Sequence, residues 1–136
     1  MVQLLLEKDH IRDLLANYCF YTDACLADKW LDLFVEDAIW DGGPSRCFEG
    51  KAALKSFIET EGRKAFGLKH VNSNPVITVD GTQAYVRSYL VVYANTDAGD
   101  QSMFAGHYFD HLVKHENRWL FKSRKLRADL TEMPTE

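Results

Sequence analysis

The chain has 136 residues, of which 46% are hydrophobic and 12% aromatic, and its net charge is −4. This length predicts one domain spanning residues 1–136, with the hydrophobic share of a folded chain rather than a disordered one. Its interspersed charges lack the basic stripe that nucleic acid would require, and the apolar run Leu4–Leu6 is too short for a signal peptide or a membrane span.

Three helices and a short extended segment are predicted in the first half of the chain. Apolar residues recur at three- and four-residue steps from Ile11 to Leu26, which is the helical period. Asp9 precedes this stripe and is expected to cap the helix. The other segments, in chain order, are a short helix after Asp28, an extended segment over Ala38–Asp41, a break at Gly42-Gly43-Pro44, and a helix that follows Gly50 and ends near Gly62.

From about Leu68 the pattern changes to strands. The predicted strands are His70–Val79, Ala84–Tyr93, Gln101–Lys114 and Arg118–Leu130. They are separated by turn signals at Asp80-Gly81 and Glu116-Asn117 and by a loop over Asn95–Asp100. Pro75 marks a bulge or an edge position. Helices followed by antiparallel strands predict an α+β architecture with the helices on one sheet face.

The strand Ala84–Tyr93 is apolar on both faces. One face carries Ala84, Val86, Ser88, Leu90 and Val92, and the other carries Tyr85, Arg87, Tyr89, Val91 and Tyr93. The helices can cover only one of these faces. We therefore expect a second copy of the chain to cover the other, as a homodimer or a higher homo-oligomer, with Tyr85, Tyr89 and Tyr93 at the contact.

Polar side chains cluster at the start of the first long strand. His70, Asn72 and Asn74 share one face by the two-residue period and need solvent, one another or a ligand. His70 is either a satisfied rim residue or a base suited to neutral pH. Asp23 lies just beyond the apolar stripe of the first helix, where a solvated carboxylate is the simpler interpretation. Tyr18 lies at the centre of that stripe, as core or as a pocket phenol.

Neither a metal nor a cofactor is expected. His107, His111 and His115 repeat every four residues, but in a strand that spacing is about 13 Å, too far to share an ion. His107 alone is kept as a candidate pocket residue. The three cysteines have no metal-type spacing, which favours a reduced, cytoplasmic setting. Nucleophile-elbow, P-loop, dinucleotide and zinc-protease motifs are absent. Arg124, on the last strand, faces solvent, a pocket anion or a carboxylate.

Six segments, taken in order, form a recognisable set. They are Ile11–Asp23, Phe34–Trp40, Gly50–Leu54, His70–Asn74 with Val79-Asp80-Gly81, Gly106–Asp110, and Arg118-Trp119 followed by Arg124. Together they resemble the SnoaL-like group of the nuclear-transport-factor-2-like superfamily over nearly the whole chain. The resemblance implies a cone-shaped roll, with three N-terminal helices packed on a curved, mostly antiparallel sheet around a pocket for a small hydrophobic or cyclic ligand.

Catalytic roles follow from the same resemblance. Scytalone dehydratase, hexachlorocyclohexane dehydrochlorinase and bile-acid 7α-dehydratase use an Asp on the first helix and a His on the next long strand, and Asp23 and His70 match those positions. Tyr18 matches a tyrosine of the bile-acid enzyme, and Arg124 matches a basic residue on the last strand. The resemblance implies a cofactor-free dehydratase or dehydrohalogenase in which His70 is the base and Asp23 orients it. Substrate binding is assigned to His107, Trp40, Asn72 and Asn74.

Two alternatives stay open. A ketosteroid-isomerase-like isomerase or cyclase would need an Asp on the first strand, where this chain has Gly42, with Asp41 on the opposite pleat. A non-catalytic ligand-binding or interaction module would resemble the small subunits of ring-hydroxylating dioxygenases. Contact between Asp23 and His70 beside a pocket would favour the enzyme interpretations.

Overall fold

Three helices and six strands make up residues 1–129, the part of the chain that this computed structural model describes. In chain order they are α1 Val2–Asp23, α2 Ala27–Leu31, β1 Phe34–Asp41, β2 Cys47–Glu49, α3 Lys51–Lys64, β3 Leu68–Asp80, β4 Gln83–Thr96, β5 Gly99–His115 and β6 Arg118–Ala128. Leu130, the predicted end of the last strand, lies outside the described residues. Within residues 1–129, none of the helices combines the length and apolarity needed to cross a membrane.

The strands form one sheet in the order β2-β1-β6-β5-β4-β3. Four of the five pairs of neighbouring strands are antiparallel, whereas β1 pairs with β6 in parallel. Helices packed against a mostly antiparallel sheet confirm the predicted α+β class. The parallel pair brings the first strand of the chain beside the last one, so residues distant in sequence meet at the centre of the sheet.

The core lies between the helices and one face of the sheet. On β4 the inward residues Ala84, Val86, Ser88, Leu90 and Val92 are all buried, as the period-two pattern predicts. Aromatic rings from the helices and from β1 and β6 fill the space above them. Trp30 and Phe34 have ring centroids 4.5 Å apart, and Tyr18 lies 5.6 Å from Phe121. Removal of this apolar surface from water is the main stabilising term.

The first helix begins earlier than predicted. It starts at Val2, so Asp9 lies inside it and the predicted cap at that residue is wrong. The reason is a tertiary contact: the buried Glu7 accepts hydrogen bonds from Lys114 and Trp119, both at 2.9 Å. The Lys114 hydrogen bond holds the pKa of Glu7 below its ordinary value. These contacts attach the first two helical turns to β5 and β6, which no local periodicity signals.

Two predictions concern the β3–β4 and β4–β5 hairpins, and one of them is correct while the other is wrong. The bulge predicted at Pro75 is confirmed, because the β3–β4 register shifts between Ser73 and Val76. The loop predicted over Asn95–Asp100 is wrong: β4 continues to Thr96 and β5 starts at Gly99. The Thr96 hydroxyl donates to the Gly99 carbonyl at 2.7 Å, and Gly99 has φ of +99°, so a tight turn replaces the loop.

Candidate active site

A cavity of about 340 Å³ lies between the helices and the inner face of the sheet. All three helices and five of the strands contribute to its lining, so it forms only when the whole fold is assembled. Its buried wall is mainly aromatic and aliphatic and includes Tyr18, Trp30, Trp40, Phe57, Leu90 and Tyr108. His70 is one of the few polar groups on this lining. An apolar cavity with few polar groups suits a small cyclic ligand.

Asp23 and His70 are brought together by the end of α1 and the start of β3. Asp23 is the last residue of α1, and His70 is the third residue of β3. The carboxylate Oδ1 lies 2.7 Å from the imidazole Nδ1, and both carboxylate oxygens accept from the His70 backbone N–H at 3.1 Å. The carboxylate therefore fixes both the ring and the backbone of the histidine.

The two side chains differ in their access to the cavity. His70 lines both the cavity and a separate groove between α1 and β3, whereas Asp23 lines only the groove, so the carboxylate lies behind the ring. Because a carboxylate only accepts hydrogen bonds, Nδ1 of the neutral imidazole carries the proton. Nε2 makes no hydrogen bond to residues 1–129 and keeps its lone pair. This is the tautomer in which a histidine accepts a proton from a ligand.

Tyr18 and Trp40 form a second polar contact on the cavity wall. The Trp40 indole Nε1–H donates to the Tyr18 hydroxyl oxygen at 2.9 Å. Both side chains are buried and both line the cavity. Burial raises the pKa of Tyr18, so its hydroxyl stays protonated at neutral pH. The phenol therefore combines an accepted hydrogen bond with a proton that it can donate.

Arg124 lies behind this wall rather than on it. Its side chain is fully buried, and its guanidinium carbon lies 3.4 Å from the centroid of the Tyr108 ring and 4.2 Å from that of Tyr18. Nε lies 3.1 Å from Oδ1 of Asp110, its neighbour across the β5–β6 register, and Nη2 donates to the Asn72 side chain. A buried positive charge thus stands directly behind two phenol rings of the cavity.

Asp110 and Tyr108 are the partners that the sequence analysis missed. Asp110 is buried, and burial raises its pKa to about 6, although the Arg124 charge opposes the rise. Both residues lie inside the Gly106–Asp110 segment and share its inward face. Pairing inward polar residues on adjacent strands would identify Asp110 as the partner of Arg124. That pairing depends on the β5–β6 register, which the sequence alone does not give.

Three of the predicted substrate-binding residues lie outside this cavity. Asn72 donates to the Ser88 hydroxyl at 2.8 Å and to the Tyr89 carbonyl at 2.9 Å. Asn74 has φ of +56° at the β3 bulge, and His107 lies on the outer sheet face, 2.9 Å from Asp129. Trp40 is the fourth, and it lines the cavity. Within the described chain, no set of three or more His, Cys, Asp or Glu side chains is arranged to hold a metal ion.

The exposed rim of the cavity is charged. It includes Arg46 from the β1–β2 connection and Glu61 and Lys64 from the end of α3. None of these residues stands out in the sequence, because single charges in loops and helix ends are ordinary surface residues. Their common position becomes visible only once the fold brings the connection and the helix end together.

Comparison with known proteins gives a consistent family. Residues 3–125 match the family model of the SnoaL-like domain. A candidate scytalone dehydratase from Novosphingobium aromaticivorans is 31% identical over 100% of this chain and 94% of its own, with a TM-score of 0.82. An Asp-to-Asn variant of a Mycobacterium tuberculosis protein of unknown function is 28% identical over 93% of this chain and 74% of its own, with a TM-score of 0.86. No curated protein matches significantly.

The fold extends to more distant structures. The beta subunit of a candidate aromatic-ring-hydroxylating dioxygenase, also from Novosphingobium aromaticivorans, has a TM-score of 0.80 at 23% identity. The match covers 98% of this chain and 95% of that subunit. At this identity the likeness concerns the fold alone, since one fold hosts unrelated functions.

Proposed function

The chain belongs to the SnoaL-like domain family, and on that premise we propose that it is a cofactor-free lyase of the dehydratase or dehydrohalogenase type. Its substrate is a small cyclic molecule whose ring occupies the aromatic cavity. The observation that carries the proposal is the 2.7 Å contact between Asp23 and the cavity-lining His70. The 31% identity to a candidate scytalone dehydratase supports the same reaction class.

The reaction is an elimination in which His70 is the base. Nε2 takes a proton from a substrate carbon, the electrons of that C–H bond form a C=C bond, and the adjacent C–O or C–Cl bond breaks. The imidazolium that forms is stabilised by Asp23, as in other His–carboxylate pairs. A departing hydroxide takes up the proton that His70 removed and leaves as water, whereas a departing chloride leaves as the anion and the proton on His70 passes to solvent. No further co-reactant is needed for the balance.

Tyr18 is the proposed partner for the oxygen that gains negative charge. Its hydroxyl accepts from Trp40, which polarises the O–H bond. The guanidinium of Arg124, 4.2 Å from the ring centroid, also favours negative charge on that side. Arg124 acts through Tyr18 and Tyr108 and is therefore a positioning residue in this proposal.

The test compares turnover of the wild type with that of two histidine variants. The substrates are scytalone, other cyclic β-hydroxy ketones, cyclic β-hydroxy acids and chlorinated cyclohexanes, followed by absorbance of the new conjugated double bond or by released chloride. We expect His70→Ala to lower turnover by at least about 10²-fold. His111→Ala is the matched control, because His111 is a half-buried strand residue on the outer face, stacked on Tyr85. Wild-type turnover by His70→Ala would show the mechanism to be wrong.

The isomerase alternative receives less support from the first strand. A Cβ atom on Gly42 would lie 2.6 Å from the Trp40 ring, so Trp40 already occupies the space of a side chain there. The neighbouring Asp41 is 3.1 Å from Arg127, and the hydrogen bond from Arg127 holds its pKa below the ordinary value. If the wild type turned over none of the substrates while still binding them, the non-catalytic alternative would replace the lyase.

A further inference from the structure

Arg46 is held at the mouth of the cavity by a short closed turn. It lies in the β1–β2 connection, is exposed, and lines the cavity. The Gly42 N–H donates to the Arg46 carbonyl at 2.8 Å, and the Arg46 N–H donates to the Gly43 carbonyl at 3.1 Å. These two hydrogen bonds fix the backbone from which the side chain projects.

The guanidinium lies over two rings of the cavity wall. Its central carbon is 5.3 Å from the ring centroid of Trp40 and 5.8 Å from that of Phe57. Stacking of this kind limits the freedom of a long side chain while leaving its N–H edge available for hydrogen bonds. The side chain is thus positioned beside the apolar cavity without using its own donors.

The charge of Arg46 has no carboxylate partner among residues 1–129. The three arginines of β6 are paired, Arg118 with Asp32 at 2.9 Å, Arg124 with Asp110 at 3.1 Å and Arg127 with Asp41 at 3.1 Å. At the cavity mouth, Lys64 lies 3.5 Å from Glu61, so these two charges offset each other. Arg46 takes part in none of the ion pairs in the described chain.

We propose that Arg46 binds a carboxylate or similar anionic group on a ligand whose apolar ring system fills the cavity. The planar set of N–H donors of a guanidinium matches the two oxygens of a carboxylate. A ligand that consisted of an apolar ring alone would leave these donors without a partner in the ligand. The inference deepens the proposed function and rests on it: the substrate class is a cyclic acid, with its ring beside His70 and its charge at the mouth.

The experiment compares two probes that share one ring system, 2-naphthoate and 2-naphthamide, by isothermal titration calorimetry at neutral pH. We expect the wild type to bind the anion roughly tenfold more tightly than the neutral amide, the order of one well-placed charge-assisted hydrogen bond. Arg46→Gln should abolish this preference and leave the affinity for 2-naphthamide within about twofold. Because Arg46 is exposed, raising the salt concentration should also reduce the preference.

Arg63→Gln is the matched control. Arg63 is an exposed cation at the C-terminal end of α3, next to Lys64, and it does not line the cavity. It should keep the wild-type preference. Far-ultraviolet circular dichroism and thermal unfolding should show both variants folded. Equal affinity for the two probes, a preference that survives Arg46→Gln, or no binding of either probe at millimolar concentration would overturn the inference.

His70→Ala separates this inference from the lyase proposal. The variant should retain the preference for 2-naphthoate, since the anion contact does not depend on the base. Turnover that requires His70, together with equal binding of the probes, would remove the inference and leave the lyase. An Arg46-dependent preference in a protein without turnover would remove the lyase and leave the anion subsite.

Discussion

At the scale of single residues, Asp23 makes two kinds of contact with His70, and a substitution separates them. One oxygen meets the ring Nδ1 at 2.7 Å, and both oxygens share the backbone N–H at 3.1 Å. The backbone contact holds the start of β3 against the end of α1. The ring contact sets the tautomer and supplies the negative charge that a histidine needs when it accepts a proton.

Asp23→Asn should therefore affect rate more than folding. The amide keeps the size and one acceptor oxygen, so we expect the free energy of unfolding to fall by only about 1 kcal/mol. The charge opposite the imidazolium is lost, so turnover should fall by about 10²-fold or more. Urea unfolding and steady-state kinetics measure the two effects. Asp13→Asn, on the exposed face of α1, should change neither; a variant that lost stability but kept its rate would contradict the proposed role.

The buried pair of Asp110 and Arg124 predicts an unusual pH dependence of stability. Burial raises the pKa of Asp110 to about 6 in the folded protein, whereas the unfolded chain releases this proton near pH 4. Between these values the folded state holds more protons, so rising pH favours the unfolded state. The contribution of Asp110 is fully present below about pH 4 and is lost as pH rises through about 6.

Asp110→Asn removes this titration. We expect the wild type to lose stability relative to the variant as pH rises from about 4 to about 6, with a constant difference above that range. Urea unfolding of both proteins across this range measures it. A wild type that instead gained stability relative to the variant over the interval would mean that the Arg124 charge, 3.1 Å away, outweighs the burial of the carboxylate.

The residue patterns of the sequence predicted some members of the site but not their arrangement in space. The two-residue period groups His70 with Asn72 and Asn74, but the bulge between Ser73 and Val76 breaks that period, and Asn74 turns away with φ of +56°. On β5 the sequence offers rings on both faces, so nothing local decides that Tyr108 points inward and not its neighbour. That choice is made by the helices, which cover one sheet face only.

At the scale of elements, local signals located the long strands and the third helix because periodicity and turn residues are local. The parallel pairing of β1 with β6 joins Phe34 to Phe121 and Trp40 to Arg124 across more than half the chain. No turn chemistry encodes such a contact. The three-residue strand Cys47–Glu49 is too short to show a period, and it exists because β1 gives it an edge to pair with.

At Gly106 the backbone of β6 leaves little space for a side chain on β5, and Gly106→Ala tests that packing. An added Cβ would meet the Arg127 carbonyl oxygen, a backbone atom, and would lie 2.7 Å from the Phe104 ring. The strands must separate or Phe104 must move, which we expect to cost about 1–3 kcal/mol in the free energy of unfolding. Urea unfolding measures the loss.

The control for this substitution is Ala105→Ser, at the exposed neighbouring residue. It should change the free energy of unfolding by less than about 0.5 kcal/mol. Since Phe104 lines the cavity, Gly106→Ala should also weaken the binding of 2-naphthamide. An alanine variant as stable as the wild type would mean that the strands adjust at this point without strain.

At the scale of the whole molecule, the outer sheet face carries several exposed apolar side chains, with Arg87 among them. Tyr85, Tyr89 and Tyr93 on β4 are 51%, 48% and 38% exposed, and Phe109 on β5 and Val76 on β3 are 43% and 55% exposed. These residues lie on three adjacent strands of the sheet. Exposed apolar side chains grouped on adjacent strands in this way are typical of a contact surface between chains. We therefore expect a homodimer that buries this face, with the two cavities on the opposite sides of their sheets.

Tyr89→Glu should convert that dimer to a monomer. Tyr89 lies at the middle of the outer face, beside His107, so a charge there would have to be taken out of water at the contact. Light scattering at micromolar concentration should give a dimer mass for the wild type and a monomer mass for the variant.

Phe20→Glu is the control, because Phe20 is a 69% exposed ring on α1, away from the sheet face, and its replacement should leave a dimer. Because the Tyr89 ring points away from the cavity, the monomer should still bind 2-naphthoate, which distinguishes dissociation from unfolding. A wild type that is monomeric at this concentration would mean that the tyrosines of this face serve another contact.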